Sequence, residues 1–343
     1  MEVHNSIVYG VIIICIILAA YLIYKYFKNS RSKEVLIKSP NINLRKCIGQ
    51  ELNNLNNNWK NTGFCKINNC LKDEVEYINK HVNFVETNFP NLTNVYFNNN
   101  VVKNIKRKTI ELVRDKDGVP YPLSKSKQMN NDNLTPYSSL SEKDMSEELN
   151  NEDMEHNNEK DMDLFEKDMI LYHKSSNKKE FIEFLGKFVD KLKQEYPNIV
   201  TKDLDIYHVL CFHIYPGGQK QDIHFDKFYL EDHKNNSHDN KLLNSLQIFI
   251  PLHNTPLEQG PTILYKRNMI DYELLRNNTL TNKIDEEHDI IKNNPDLLNM
   301  FAKAKTQEVM NKGDIIFMDK DVYHQGGENK SNSIRKTLLI QLA

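Results

Sequence analysis

The spacing of apolar residues gives the chain three textures. From Ile7 to Tyr24 eighteen residues pass without a charge, and Lys25, Lys28, Arg31 and Lys33 border the run. That length can cross a bilayer, so the pattern predicts a single transmembrane helix. Past a polar stalk, Thr62–Ile67 reads as a short strand. Val75, Ile78, Val82 and Val85 then recur at helical spacing, predicting an amphipathic helix over about Lys72–Val85. Phe181, Phe184, Leu185, Phe188, Val189 and Leu192 form a second helical stripe suited to core packing. From Ile206 the texture becomes short β-rich runs: Ile206–Tyr215, Ser245–Leu252, Thr262–Tyr265, Asp314–Met318 and Thr337–Leu342. Gly217-Gly218, Gly260-Pro261, Gly313 and Gly326-Gly327 punctuate them, so this half predicts an all-β sandwich or jelly-roll barrel. Helical patterning around Leu297, Leu298, Met300 and Phe301 marks Met269–Lys305 as an insert between barrel strands.

Composition refines this picture. Between Glu142 and Asp168 stand twelve acidic residues and three lysines with no sustained apolar period, the signature of a solvated, disordered insert. A hydrophobic share of 39% fits a normal core diluted by Asn- and Lys-rich inserts. The formal net charge of −2 provides no basic field, so a nucleic-acid partner is not expected. Five cysteines with no C-x-x-C pair argue against a disulfide framework or a structural zinc site. Ahead of the apolar run, Met1–Ser6 holds Glu2 and no lysine or arginine, unlike a cleaved signal peptide. The run is therefore expected to be a retained single-pass anchor. Its basic flank places the rest of the chain in the cytosol, with the membrane itself unspecified.

Of twelve histidines, His224 alone is followed two residues later by an aspartate, Asp226. In an extended strand such residues point to one side, so an imidazole nitrogen and a carboxylate oxygen can reach one ion. His324 follows the Asp314–Met318 run and precedes Gly326-Gly327, which makes it the candidate third ligand. Two histidines and a carboxylate leave three positions of an octahedron open, the arrangement of non-haem iron(II) oxygenases. Roughly one H-x-D triplet is expected by chance in a chain with this many histidines, so the triad needs support from its surroundings. Arg335 supplies some, because a guanidinium at the start of an apolar final strand calls for a bidentate carboxylate partner. An exposed arginine is the plainer alternative.

The segments Gly313–Phe317, Tyr323–Ser331 and Arg335 resemble the closing strands of the phytanoyl-CoA dioxygenase family. Thr62–Leu71 is similar to its opening strand, Gln221–Tyr229 to its first metal motif, and Phe249–Leu252 through Glu258–Pro261 to its middle strand and turn. This resemblance implies a mainly β chain with flanking helices, built as a double-stranded β-helix (jelly-roll, cupin-like) barrel. It implies iron(II) on His224, Asp226 and His324, 2-oxoglutarate held by Arg335, and dioxygen as the other co-substrate. Phe249 would lie beside 2-oxoglutarate, and Thr337 would offer a hydroxyl near its carboxylate. The domains expected are an anchor with its basic flank at 1–33 and an oxygenase domain at 34–343. The latter would carry a disordered acidic insert at 126–170 and a helical insert at 268–308. Where the family continues its middle turn with a proline-glycine-serine-histidine type sequence, this chain runs into Lys266-Arg267-Asn268, so a coenzyme A ester is not implied. Hydroxylation of an unactivated C–H bond in a small molecule is expected, with a lipid or acyl substrate suggested by the anchor. Three alternatives stay open: a prolyl-type protein hydroxylase with Lys336 as its co-substrate cation, a catalytically silent tethered binding module, and a cupin-type protein holding another metal.

Overall fold

The computed structural model of the chain describes residues 35–94, 106–114, 164, 167–226, 245–278 and 291–343. The chain divides after Ile37, and the architecture below is that of the second unit, Lys38–Ala343. The expected anchor at Ile7–Tyr24 and most of the acidic segment 126–170 lie outside the described residues. Among the described residues no helix is long and apolar enough to cross a membrane.

The elements are α1 (Gln50–Thr62), β1 (Phe64–Ile67), α2 (Asp73–Asn88), β2 (Arg107–Arg114), α3 (Ser176–Glu195), β3 (Ile206–Ile214), β4 (Leu246–Pro251), β5 (Ile263–Tyr265), α4 (Tyr272–Asn278), α5 (Pro295–Ala304), β6 (Lys305–Thr306), β7 (Ile315–Asp319), β8 (His324–Gln325) and β9 (Arg335–Leu342). The polar stalk expected before Thr62 is in part a helix, α1, and Leu44, Cys47 and Leu55 from this region are buried. Its asparagines hid it, since they favour turns and weaken any helical signal. Gly63 ends α1 in the left-handed conformation at φ 80°, so the expected strand starts only at Phe64.

Two antiparallel sheets form a sandwich. The larger runs β1-β7-β4-β9-β3-β2 and the smaller β6-β5-β8. His224 adds a further bridge to the smaller sheet, pairing with His324. Followed along the sequence, the chain passes from the larger sheet (β3) to the smaller (His224), back (β4), across (β5, β6), back (β7), across (β8) and back again (β9). This is the double-stranded β-helix, and it is mainly β with helices packed outside. Strands β2, β6 and β8 have no counterpart in the apolar pattern, because two of them are very short and β2 mixes charges with its apolar positions.

Register decides which side chains face inward. Ile214, Phe212, Leu210 and His208 of β3 stand opposite Arg335, Thr337, Leu339 and Gln341 of β9, so these eight side chains share one face. Leu210, Phe212, Leu339, Phe249, Ile316 and Met318 from that face pack together between the sheets. The opposite face meets α2, whose Glu86 pairs with His213 and Lys336, and α2 joins α3 along an aromatic seam. Tyr77 lies 4.6 Å from Phe184, and His81 stacks on Phe181 at 3.9 Å. Each fully buried ring there contributes about 1.5–3 kcal/mol.

The helical excursion lies against the outside of the smaller sheet. Leu297 and Phe301 of α5 pack with Tyr265, Tyr323 and Phe225. Phe225 and Tyr323 each alternate with a triad histidine, so this packing fixes the strands that present those histidines inward. The excursion closes before 308, because Lys305–Thr306 already pairs with Leu264–Tyr265. Arg267, at the family's divergent turn, is committed to Asp319 at 2.6 Å and to the Lys60 carbonyl, and so serves the scaffold.

Candidate active site

His224 and His324 face each other across the bridge between their strands, exchanging two backbone hydrogen bonds of 3.0 and 2.7 Å. Such directly paired residues project to one side, which brings the two rings to 4.5 Å between centroids. In each ring Nδ1 meets the carbonyl two residues earlier, Asp222 for His224 at 2.8 Å and Val322 for His324 at 3.2 Å. Nδ1–H donates in that arrangement, leaving Nε2 with its lone pair directed at the site. Asp226 completes the group, its oxygens 3.9 Å from His224 Nε2 and 3.6 Å from His324 Nε2. The ligating atoms all lie within 4.8 Å of one another, and the triad is the one such group among the described residues.

The electrostatics suit a divalent ion. Burial, then the neighbouring His324, holds the His224 imidazole below its ordinary pKa, so it is neutral as a ligand must be. Burial works against ionisation of Asp226, yet His324, His224 and a hydrogen bond from Gln247 outweigh it and keep the carboxyl below its usual range. Gln247 Nε2 donates to Asp226 Oδ2 at 2.6 Å from strand β4. The glutamine is almost fully buried and orients the carboxylate. Gln247→Leu is expected to weaken iron(II) affinity by about 10- to 100-fold without unfolding the protein, as measured by equilibrium titration.

Three layers along the barrel from Gln247 lies a cationic pocket. Arg107 of β2, Ile214 of β3 and Arg335 of β9 stand in one row across three adjacent strands. Arg335 is 3% exposed and donates to the carbonyls of Gln259 and Gly327 at 3.1 and 3.4 Å. Arg107 donates to those of Gln219 and Gly326. Neither guanidinium has a carboxylate partner among the described residues. Burial, with Arg107 beside it, presses the Arg335 pKa down to about 9, and burial takes Arg107 down to about 10. A buried and a half-buried cation without counter-charge are costly unless an anion joins them, and a dicarboxylate matches both their charge and their fork geometry. Lys336 points the other way, to Glu86 at 2.9 Å on the outer face, so it cannot hold a co-substrate inside the barrel.

Phe249 and Thr337 both project into the same interior, Phe249 with its ring 6.3 Å from that of His324 and Thr337 on the Arg335 face of β9. All six sequence-derived residues thus line one space. Arg107 and Gln247 were missed. Their positions follow from strand pairing across long sequence separations, and the alternation Arg107-Lys108-Thr109-Ile110 was the available hint.

The glycines of the two family turns have a physical role here. Gly260, at φ +64°, abuts Gly327 and Glu328, and a Cβ at Gly260 would sit 2.1 Å from the Glu328 carbonyl oxygen. This close approach lines up the Gln259 and Gly327 carbonyls that hold Arg335. Gly260→Ala is expected to destabilise the fold by about 1–3 kcal/mol in denaturant unfolding and to raise KM for the co-substrate.

The fold and site together define a double-stranded β-helix bearing two histidines and one aspartate beside a pair of arginines, one of them buried. A family model described as phytanoyl-CoA dioxygenase (PhyH) matches residues 59–337, and the chain belongs to that family. Iron(II) and 2-oxoglutarate are the cofactors of such oxygenases, and the residues present fit both. Among solved structures, the chain is similar to the non-heme alpha ketoglutarate dependent carbocyclase SnoK from nogalamycin biosynthesis, at 11% identity and TM-score 0.47 over 84% of this chain and 82% of that one. It is also similar to HygX from Streptomyces hygroscopicus, solved with nickel and 2-oxoglutarate, at 10% identity and TM-score 0.39 over 87% of each chain. No curated protein matches the chain.

Proposed function

We propose that the chain is an iron(II)- and 2-oxoglutarate-dependent oxygenase that hydroxylates an unactivated C–H bond of a small molecule. The observation that carries this reading is the convergence of three ligating groups, two of them with Nδ1 locked away from the site, beside the buried Arg335 and half-buried Arg107, which have no carboxylate partner among the described residues. His224, Asp226 and His324 would hold the metal, and Arg335 the distal carboxylate of 2-oxoglutarate, with Arg107 adding a second positive charge. When bound, iron(II) with 2-oxoglutarate and dioxygen supplies the oxidant for hydroxylation, the co-substrate leaving as succinate and carbon dioxide. Phe249, Leu339, Leu210 and Ile316 form an apolar collar that excludes water from the reacting space. Thr337 would offer its hydroxyl to the co-substrate carboxylate.

The prolyl-type alternative loses its cation with Lys336 facing Glu86. Experiment separates the oxygenase from a silent binding module and from a cupin-type site for another metal. Anaerobic titration of the full chain with iron(II) is expected to give a weak visible charge-transfer band only when 2-oxoglutarate is present. Its absence would remove the co-substrate assignment, and succinate release would exclude the silent barrel. The apolar run Ile7–Tyr24 and its basic flank support a single-pass tether with the catalytic unit in the cytosol. A tether of this kind favours a lipid or acyl substrate, and the walls of the pocket bear on that choice.

A further inference from the structure

Beyond the metal, on the side away from Arg335, the interior changes character. Gln247 of β4, Gln341 of β9 and His208 of β3 stand directly opposite one another in three neighbouring strands. They lie on the same face as Arg335 and Phe249, and so look into the barrel. Gln247 reaches Asp226, which fixes this row beside the metal ligands. Glu111 of β2, which stands opposite Leu210 in register, places its carboxylate 2.5 Å from His208 Nε2.

Two groups here lack partners among the described residues. Gln247 Oε1 is buried with no hydrogen bond, and so is Ser245 Oγ, two residues earlier on the same strand direction. Gln341, 6% exposed, adds a further amide beside them. Native interiors rarely leave such groups unsatisfied, and a cluster of them beside a reaction centre is accounted for by a ligand that completes them. The same ring of the barrel carries Met318 and Phe64 on its other side, in register with Gln247. One edge of an occupant would therefore meet amides and a hydroxyl, and the other an apolar wall.

We infer that this wall recognises a neutral, hydroxyl-bearing small molecule, which is the substrate of the oxygenase proposed above; the inference rests on that reading. Unsatisfied amide and hydroxyl groups offer both donors and acceptors, which hydroxyl groups of a substrate match reciprocally. Glu111 and His208 engage each other at the far end of the row. An aliphatic acyl chain would leave Ser245 and Gln247 unpaired at the point where it must be held for reaction. The polar wall thus outweighs the suggestion of a lipid chain that a tether carries.

The test follows succinate release by the full chain with iron(II) and 2-oxoglutarate, without additive and with three probe sets. These are neutral polyols including glucose and myo-inositol, straight-chain acyl glycerols, and sugar phosphates. Thermal shift of the metal-free protein with each set gives a binding readout independent of turnover. Stimulation and a raised Tm with polyols alone are expected, with Gln341→Leu and Ser245→Ala each weakening polyol affinity by about two- to tenfold. The additive-free rate and the unliganded Tm of both variants serve as controls for folding. Stimulation by acyl glycerols or sugar phosphates, or none by any polyol while the additive-free rate persists, overturns the substrate class. Loss of additive-free succinate release together with the charge-transfer band overturns the oxygenase reading itself, so the two failures are separable.

Discussion

Arg335→Ala is expected to lower kcat/KM for 2-oxoglutarate by about thirty- to several-thousand-fold, the range for removing one member of a buried, hydrogen-bonded charge pair. The reasoning starts from the free pocket. Arg335 is buried with only the carbonyls of Gln259 and Gly327 as partners, and its pKa is pressed down to about 9. It is thus a cation positioned in advance of its anion. Arg335→Lys should recover little, since a point charge cannot reproduce the bidentate fork. Lys336→Ala provides the contrast. Its partner is Glu86, whose carboxyl burial would push up, but hydrogen bonds from His213 and Lys336 hold it down to about 2. That variant should therefore lose stability and leave the apparent KM for 2-oxoglutarate nearly unchanged. Steady-state succinate release against co-substrate concentration, with the charge-transfer titration, distinguishes the two. Equal effects at both positions would mean that the inward and outward assignments along β9 are wrong.

That contrast also shows where sequence reasoning succeeds. Alternation along a strand states that only one of Arg335 and Lys336 can face inward, and apolar neighbours at Leu338 and Leu339 cannot decide which, since both faces of β9 are buried. The choice came from family resemblance, and strand pairing supplied the physical reason, with Ile214 between Arg335 and Arg107. His224 and Asp226 were legible because their spacing is local. His324 was legible through the glycine pair after it, whose close packing on Gly260 the structure explains. Arg107 and Gln247 were not legible, because each acts through a partner far away in sequence: Gly326 for the first and Asp226 for the second. The helix α1 escaped for a different reason. Its single buried residue, Leu55, gives too faint a stripe among asparagines to distinguish a helix from a stalk.

His324→Ala is expected to abolish iron(II) binding at concentrations that saturate the parent protein, a larger loss than the about 10- to 100-fold assigned to an outer partner such as Gln247. The proposed site has three protein ligands, and without His324 the two remaining ones, His224 and Asp226, come from a single short segment of chain. Stability provides the measurement. A ligand that binds only the folded state stabilises it by about 2.7 kcal/mol at one hundred times its dissociation constant, so anaerobic iron(II) should raise the Tm of the parent by several degrees. His324→Ala should show no such rise. The metal-free Tm should fall only modestly, because the backbone bridge to His224 does not require the side chain and the strands remain clamped by Tyr323 and Phe225 against α5. Gln247→Leu should retain a rise of reduced size at matched metal concentration. An undiminished metal-induced rise in His324→Ala would place the ion elsewhere, and with it the reaction centre.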